Sequence, residues 1–182
     1  LYYNSKGGQC YAGVNNAETP CDFTYTGIKN DTTRNMIADA KWSLLGWLDE
    51  GVNVYADQSY KLENTSGTVY TGNKTSWTGK IALPYPSDYA YSAYLGKCTS
   101  TLGEYSNCSS WMKTMFNSKT IALLTPIVSS SFVFHVAGGC LDLGEPYAAL
   151  DSEIFPTLYL NTNVSIKTGS GTLNSPYQLS VG

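Results

Sequence analysis

Two periods of apolar residues run through this chain, and between Lys80 and Gly96 (KIALPYPSDYAYSAYLG) both occur in turn. Ile81 and Leu83 alternate with Lys80 and Ala82, which predicts a short, half-buried strand. Pro84 and Pro86 stop it, because neither can donate a ladder hydrogen bond and each fixes its own φ. Ser87 is the expected N-cap of a short helix, its hydroxyl accepting from the N–H groups of Tyr89 and Ala90. Asp88 follows at the first helical position, where the positive end of the helix dipole favours a carboxylate. Tyr91, Tyr94 and Leu95 then share a face, and Gly96 is the expected C′ stop. The stretch is a strand, a proline corner and a capped helix, with nothing nucleophilic or metal-binding in it.

Elsewhere the pattern predicts one long helix from Asp31 to about Trp47, capped by Asp31 or Thr32. Met36, Ile37, Ala40 and Leu44 form its apolar stripe, and Arg34, Asn35, Asp39 and Lys41 its wet face. Gly46 frays its end. Residues 1–30 read as a small hairpin, turning at Lys6-Gly7-Gly8 and closing with the strand Phe23-Thr24-Tyr25-Thr26. Residues 49–79 are polar and turn-rich, with strand candidates at Val52–Tyr55 and Thr68–Tyr70, and Trp77 as a core or rim aromatic. Trp111, Met112, Met115 and Phe116 fit a short helix. Strands are expected over Thr120–Thr125, Ser131–Val136, Thr157–Leu160 and Val164–Lys167, and the tail GSGTLNSPYQLS adds a Gly/Pro turn and a last short strand. The expectation is a strand-dominated α+β domain, with one long helix and one or two short ones around short antiparallel strands. No internal repeat is visible.

Composition narrows the function classes. At 182 residues the chain is long enough for a single domain with a real core. Charged residues are 14% of it, against about 25% in an ordinary soluble domain, while tyrosine occurs 15 times. Such a polar, uncharged, aromatic-rich surface is typical of exported proteins. The formal net charge of −3 and the absence of a basic cluster argue against nucleic acid or an anionic membrane as partner. No run of 18 apolar residues occurs that would span a bilayer. The opening LYYNSKGGQC lacks the basic and apolar regions of a signal peptide, so an export segment is expected upstream of it or already removed.

The five cysteines suit local disulfides better than metal. Cys10 and Cys21 flank one loop, Cys98 and Cys108 another, and neither pair has zinc-knuckle spacing. Each bridge would constrain the unfolded chain by about 2–3 kcal/mol. Cys140 is the odd one, expected as a buried apolar thiol rather than an intermolecular bridge. His135 is the single histidine, and its strand alternation marks it as solvent-side or satisfied within the strand rather than a general base. No G-x-S-x-G, P-loop or metal-spaced histidines occur. An enzyme is not expected.

The series YTGIKNDTTRNMIADAKW, SWTGKIALPYPSDYAYSA, LLTP, PTLYL and GSGTLNSPYQL, with the opening LYYNSKGGQC, resembles exported surface proteins of Gram-positive and wall-less bacteria. In that family such a C-terminal domain follows a type IV prepilin-like helix. The same order is similar, more distantly, to the C-type-lectin-like fold of formylglycine-generating enzymes and bacterial surface lectins. Phe155-Pro156 stands where the family has Arg before the final Pro, and Ala122-Leu123-Leu124-Thr125-Pro126 lacks the Trp found near that motif. A formylglycine-generating activity would also want a reactive cysteine pair, which Cys140 alone cannot supply.

The resemblance implies a disulfide-closed N-terminal hairpin (1–30) on a C-type-lectin-like core (31–182). It implies an extracellular, surface-exposed subunit of a pilus-like filament, with copies of itself and a host or cell-surface glycan or protein as partners. Nucleic acid and direct membrane contact by this segment are not expected. A lectin-like module would place the loop DLGEPYAALDSE at its ligand face, making Asp142, Glu145, Asp151 and Glu153 the candidate calcium or ligand carboxylates. Glu145-Pro146 is similar to the lectins' Glu-Pro-Asn, with Tyr147 in place of the Asn. Tyr85, Tyr89, Tyr91, Tyr94, Tyr105 and Tyr147, Tyr105 and Tyr147 foremost, are the candidates for stacking on a sugar or a protein partner, with core filling as the alternative for each. No cofactor other than that Ca²⁺ is implied, and the sequons (Asn30, Asn64, Asn73, Asn107, Asn163) carry little meaning in a bacterial protein.

Overall fold

Residues 31–47 do not form one helix. The computed structural model describes residues 2–4, 19–20, 31–48, 53–69, 74–93, 98–116, 119–128, 133–144, 152–153, 155–172 and 174–182. Helix α1 (Asp31–Met36) ends after six residues. Ile37 then bridges Leu160, and the Ala38 N–H donates to the Tyr159 carbonyl at 2.9 Å. Ala40–Ser43 follows as strand β3, antiparallel to β4 (Ser76–Gly79), with Trp42 opposite Trp77.

Trp42 supplies the reason. The helical stripe Met36–Ile37–Ala40–Leu44 would leave its indole on the polar side, whereas the strand buries it to 1% exposure. Its Nε1–H also donates to the Gly79 carbonyl at 2.8 Å. Burying one such side chain is worth roughly 3 kcal/mol, more than the few tenths per residue that helix propensity offers. Gly46 is no frayed helix end either. It exchanges two backbone hydrogen bonds with Thr68, and a Cβ there would lie 1.9 Å from the Pro126 carbonyl oxygen.

The turn-rich reading of residues 49–79 missed a helix. Residues 53–55 are not a strand, and α2 (Ala56–Lys61) starts directly after them, running on as a π-turn over Leu62–Ser66. Thr68 makes only its isolated bridge to Gly46. Trp77, part-buried on β4, is the rim aromatic expected of it.

The proline joint is present with its parts displaced. β5 (Ile81–Ala82) pairs antiparallel with β10 (Thr157–Leu158), and Ile81, Ala82 and Leu83 are all buried, so this strand is covered on both faces. Helix α3 (Pro86–Tyr91) has Tyr85 as its N-cap, with Pro86 at the first turn, where a missing N–H costs nothing. Ser87, expected as the cap, lies inside the helix. Asp88 is its third residue and accepts the Tyr85 N–H at 2.9 Å. Tyr94, Leu95 and Gly96 lie outside the described residues.

The core sits against a four-stranded sheet in the order β8–β7–β6–β9, built from β6 (Thr120–Pro126), β7 (Val133–Ala137), β8 (Cys140–Gly144) and β9 (Ser152–Glu153). β9 runs parallel to β6, so the expectation of antiparallel strands throughout holds only for the rest. Alternation along β6 sends Ile121, Leu123 and Thr125 inward. There they meet Tyr89 and Ala90 of α3, Leu102 and Tyr105 of a 3₁₀ turn (Leu102–Asn107), and Met112 of α4 (Trp111–Phe116). Trp47 stacks at a tilt on Phe134, ring centroids 4.4 Å apart.

β1 (Tyr2–Asn4) pairs antiparallel with β2 (Thr19–Pro20), so the N-terminal hairpin closes at Thr19–Pro20. The strand expected at Phe23–Thr26 and the pair Cys10 and Cys21 lie outside the described residues. At the other end, β11 (Val164–Thr168) pairs with β12 (Gln178–Val181) as expected for the tail. The domain is therefore mixed α and β with small, mainly antiparallel sheets and short helices. Among the described residues, no helix is long and apolar enough to cross a membrane.

Candidate functional site

Helices α2 and α3 pack against each other and raise a set of tyrosines to the surface. Tyr60 on α2 and Tyr91 on α3 meet edge to face, centroids 6.3 Å apart and planes at 73°. They are 55% and 44% exposed. Tyr159, just after β10 and 56% exposed, stacks at 5.0 Å on the buried Trp42 and lies within electrostatic reach of Asp88 and Tyr60. Tyr85 packs on the other flank of Trp42 at 6.3 Å and donates its hydroxyl to the Ser43 carbonyl. Desolvation raises the Asp88 carboxyl above its ordinary value, and the Tyr85 N–H partly offsets this. The result is a cluster of exposed tyrosines beside one carboxylate, Tyr60 and Tyr91 carried on helices and Tyr159 seated on Trp42.

Beneath that cluster lies Glu63, fully buried in the π-turn. Its Oε1 accepts the Ser59 hydroxyl at 2.7 Å and the Ser87 N–H at 3.0 Å, and its Oε2 meets the Ser87 hydroxyl. The Ser43 hydroxyl donates to the Glu63 carbonyl. Ser59 and Glu63 stand four residues apart, on one face of the same helical run. Burial pushes the Glu63 carboxyl up to about 7, against the lowering effect of Ser87 and Ser59. Sealed from solvent, it can tie α2 to the start of α3 but cannot reach an external substrate.

A cleft of ≈ 390 Å³ lies elsewhere, between the 3₁₀ turn, α4 and the β7–β8 turn. Asn107, Ser109, Ser110, Lys113, Thr114 and Lys119 give it a hydroxyl- and amine-rich lining. Its wall is fixed by the Tyr89 hydroxyl, which donates to the Gly139 carbonyl at 2.8 Å. Gly139 has φ +85°, a left-handed conformation that favours glycine, whereas a Cβ there would meet only the flexible Lys113 stem, at 2.9 Å.

The residues expected to carry function separate. Cys98 and Cys108 are joined, Cα atoms 5.4 Å apart, as their spacing suggested. Glu145, Tyr147 and Asp151 lie outside the described residues. Asp142 is on β8 and Glu153 on β9, at opposite edges of the four-stranded sheet, so about 14 Å of sheet separates them. Among the described residues no cluster of three or more His, Cys, Asp or Glu could hold a metal.

Tyr105 is not the stacking surface expected of it: it is 4% exposed, packed on Tyr89, with its hydroxyl donating to the Ala90 carbonyl at 2.8 Å. His135 is neither solvent-side nor satisfied. It is buried opposite Ala122 and Asp142 with Nδ1 unpartnered, and burial lowers its pKa against the opposing pull of Asp142. Cys140 is a free thiol, part-exposed rather than buried. Sequence reasoning missed Glu63, Tyr60 and Tyr159. For Glu63 the one available signal was the Ser59–Glu63 spacing, which has meaning only on a helix. Comparisons of the chain with family models, with curated proteins and with solved structures return no match.

Proposed function

We propose that this domain is a surface-exposed subunit of a pilus-like extracellular filament, structural and adhesive in role, touching other molecules without transforming them. The observation that carries this reading is the exposed set Tyr60, Tyr91 and Tyr159 around Asp88. Tyrosine offers large, rigid contact area at low entropic cost, with a hydroxyl for specificity, and aromatic residues are enriched where proteins bind. The low charge content, the Cys98–Cys108 bridge and the motif series similar to prepilin-like surface proteins support the same reading. A C-type-lectin-like arrangement of the core belongs to this proposal. Electron microscopy of the expressing cells, with antibody raised against this domain, tests it: labelled filaments support it, and label confined to the cytosol overturns it.

A second reading, a carbohydrate- or receptor-binding adhesin module, is favoured by the hydroxyl- and amine-lined cleft between the 3₁₀ turn and α4. A thermal-shift panel with Ca²⁺, EDTA and common glycans separates the two. A flat response to all of them removes the second reading and leaves the first.

A further inference from the structure

Around the cleft beside α4 the polar side chains divide into those that build it and those that stay open to solvent. Ser110 and Thr114 build it. The buried Ser110 hydroxyl meets that of Ser92 and accepts the Lys113 N–H at 3.2 Å, while the Thr114 hydroxyl donates to the Ser110 carbonyl at 3.1 Å. Opposite them the Tyr89 hydroxyl holds the Gly139 carbonyl, and the Cys98–Cys108 bridge fixes the chain where the 3₁₀ turn ends. Asn107, Ser109 and Lys119 are exposed, and Lys113 is half-buried. The cleft thus presents an amide, a hydroxyl and a pair of amines from a frame that is already held.

Charge gives this cleft a sign. Lys113 and Lys119 line it, and among the described residues that do so none is acidic. In a chain of formal net charge −3 that is a local reversal. The Lys113 ammonium donates to the Ser106 carbonyl, which anchors it. An ammonium has three donors, so that bond leaves two for a ligand. Size sets a second limit. At ≈ 390 Å³ the cleft lies at the lower end of the roughly 300–1,000 Å³ of ligand pockets, which suits one or two sugar rings rather than a long chain.

We infer that the cleft between the 3₁₀ turn and α4 binds a carboxylate-bearing saccharide, its acid group set against Lys113 and Lys119 and its ring hydroxyls against Asn107 and Ser109. The two kinds of side chain select this class together. A simple anion would engage the amines and leave Asn107 and Ser109 idle, and a neutral sugar would do the reverse. The Asn amide and the Ser hydroxyl each both donate and accept, as the hydroxyls of a sugar require. The amines supply a charge-assisted bond to the acid, stronger than a neutral one. Both lysines are within reach of solvent, so the attraction is screened by salt. The inference rests on the second reading, in which this domain binds carbohydrate, and names the class of sugar and the side chains that choose it.

NMR titration of the isotope-labelled 182-residue chain tests this. The probes are the methyl glycosides of glucuronic acid and N-acetylneuraminic acid, and their methyl esters, which keep the shape and lose the charge. At least one acid shifts the amides of Asn107, Ser109, Lys113 and Lys119, binds roughly tenfold more tightly than its ester, and weakens as salt is raised. Lys113→Met keeps the stem that crosses Gly139, and Lys119→Met changes an exposed position, so both keep the wild-type thermal midpoint. Each weakens the acid about threefold and leaves the ester unchanged. Where Lys113→Met lowers the midpoint, Lys119→Met alone decides. Esters that bind at the cleft as tightly as the acids overturn the inference and leave the carbohydrate reading standing. Sodium acetate or phosphate that matches the acids reveals an anion site without sugar selectivity, which also overturns it. Cleft amides unmoved by every probe overturn the inference and take from the carbohydrate reading the observation that favours it.

Discussion

The carboxylate of Glu63 receives both the backbone N–H and the hydroxyl of Ser87. One residue of the α2 π-turn thus does from a distance what a local cap does at a helix start, satisfying a donor that α3 cannot use internally. The arrangement accommodates the protonated acid as well, because the Ser87 hydroxyl can accept the carboxyl proton while its N–H still donates to Oε1. Among the described residues no positive charge is found to favour the ionised form.

Stability should therefore depend on pH through Glu63. Burial lifts its carboxyl from 4.5 in the unfolded chain to about 7 in the fold. Between those values the folded state holds a proton that the unfolded state has released. The contribution is thus complete below about 4.5 and is lost as pH rises through about 7, amounting to about 3 kcal/mol. Urea unfolding across this range checks it. Glu63→Gln mimics the protonated acid and should flatten the slope while keeping the low-pH stability, whereas Glu63→Ala leaves buried donors unpaired and should cost about 2–4 kcal/mol at any pH. An unchanged slope in Glu63→Gln would assign the dependence to another group.

His135 works in the opposite direction. Its folded pKa lies below 6.5, because burial disfavours the imidazolium. As pH falls through 6.5 the unfolded chain takes up a proton that the fold does not, so stability is lost on the acid side. Nδ1 has no partner to lose. His135→Val, a good strand residue, should remove that acid-side loss and cost no more than about 1 kcal/mol at pH 8. A loss of several kcal/mol there would mean the imidazole makes a bond that the structure does not contain.

Elements whose signal is local were legible in the sequence. β6 ends at Pro126, α4 carries Trp111 and Met112, the last hairpin turns through Gly and Pro, and Cys98 and Cys108 bridge the loop between them. Elements decided by distant partners were not. Residues 37–43 read as helix until Trp77 and Tyr159 are known to flank Trp42. Ser87 reads as a cap until Glu63 arrives from α2 to claim both its donors. The tyrosines divide in the same way: nothing in the neighbourhood of Tyr105 says that Ala90 and Tyr89 will enclose it, or that Tyr60 will stay outside. The strands that carry Asp142 and Glu153 could not be placed from the sequence, since β9 returns beside β6 on the far side from β8.

Tyr105 gives a direct check of that division. Tyr105→Phe should cost about 1 kcal/mol, the net worth of its hydroxyl bond to Ala90, and Tyr105→Ala about 3–5 kcal/mol through the cavity left in the core. Thermal unfolding with a glycan panel alongside separates stability from binding. A Tyr105→Ala chain that keeps full stability but loses a ligand would return this tyrosine to the surface.

Removing the Cys98–Cys108 bridge tests the disulfide that the described residues contain. It closes a loop with a sequence separation of 10, so the paired Cys98→Ala and Cys108→Ala change should cost about 2–3 kcal/mol, chiefly by freeing the unfolded chain. Non-reducing peptide mapping of the wild type supplies the control. Cys98 found joined to Cys140 instead would refute the pairing and displace the 3₁₀ turn from the core.

The tyrosine face makes the reverse prediction, a loss of contact without a loss of fold. Tyr60, Tyr91 and Tyr159 are exposed, so Tyr→Ser at each should change stability by at most about 1 kcal/mol. If these rings make the adhesive contact, each replacement should weaken attachment of the purified chain to its target surface by roughly tenfold, the effect of one interfacial hot spot. Tyr60→Ser and Tyr91→Ser should also be less than additive in combination, because the two rings support each other edge to face. Surface plasmon resonance on intact host or bacterial surfaces reads all three. Wild-type attachment by the triple variant would show that the face is decoration on the fold, and the adhesive role would pass to the cleft beside α4.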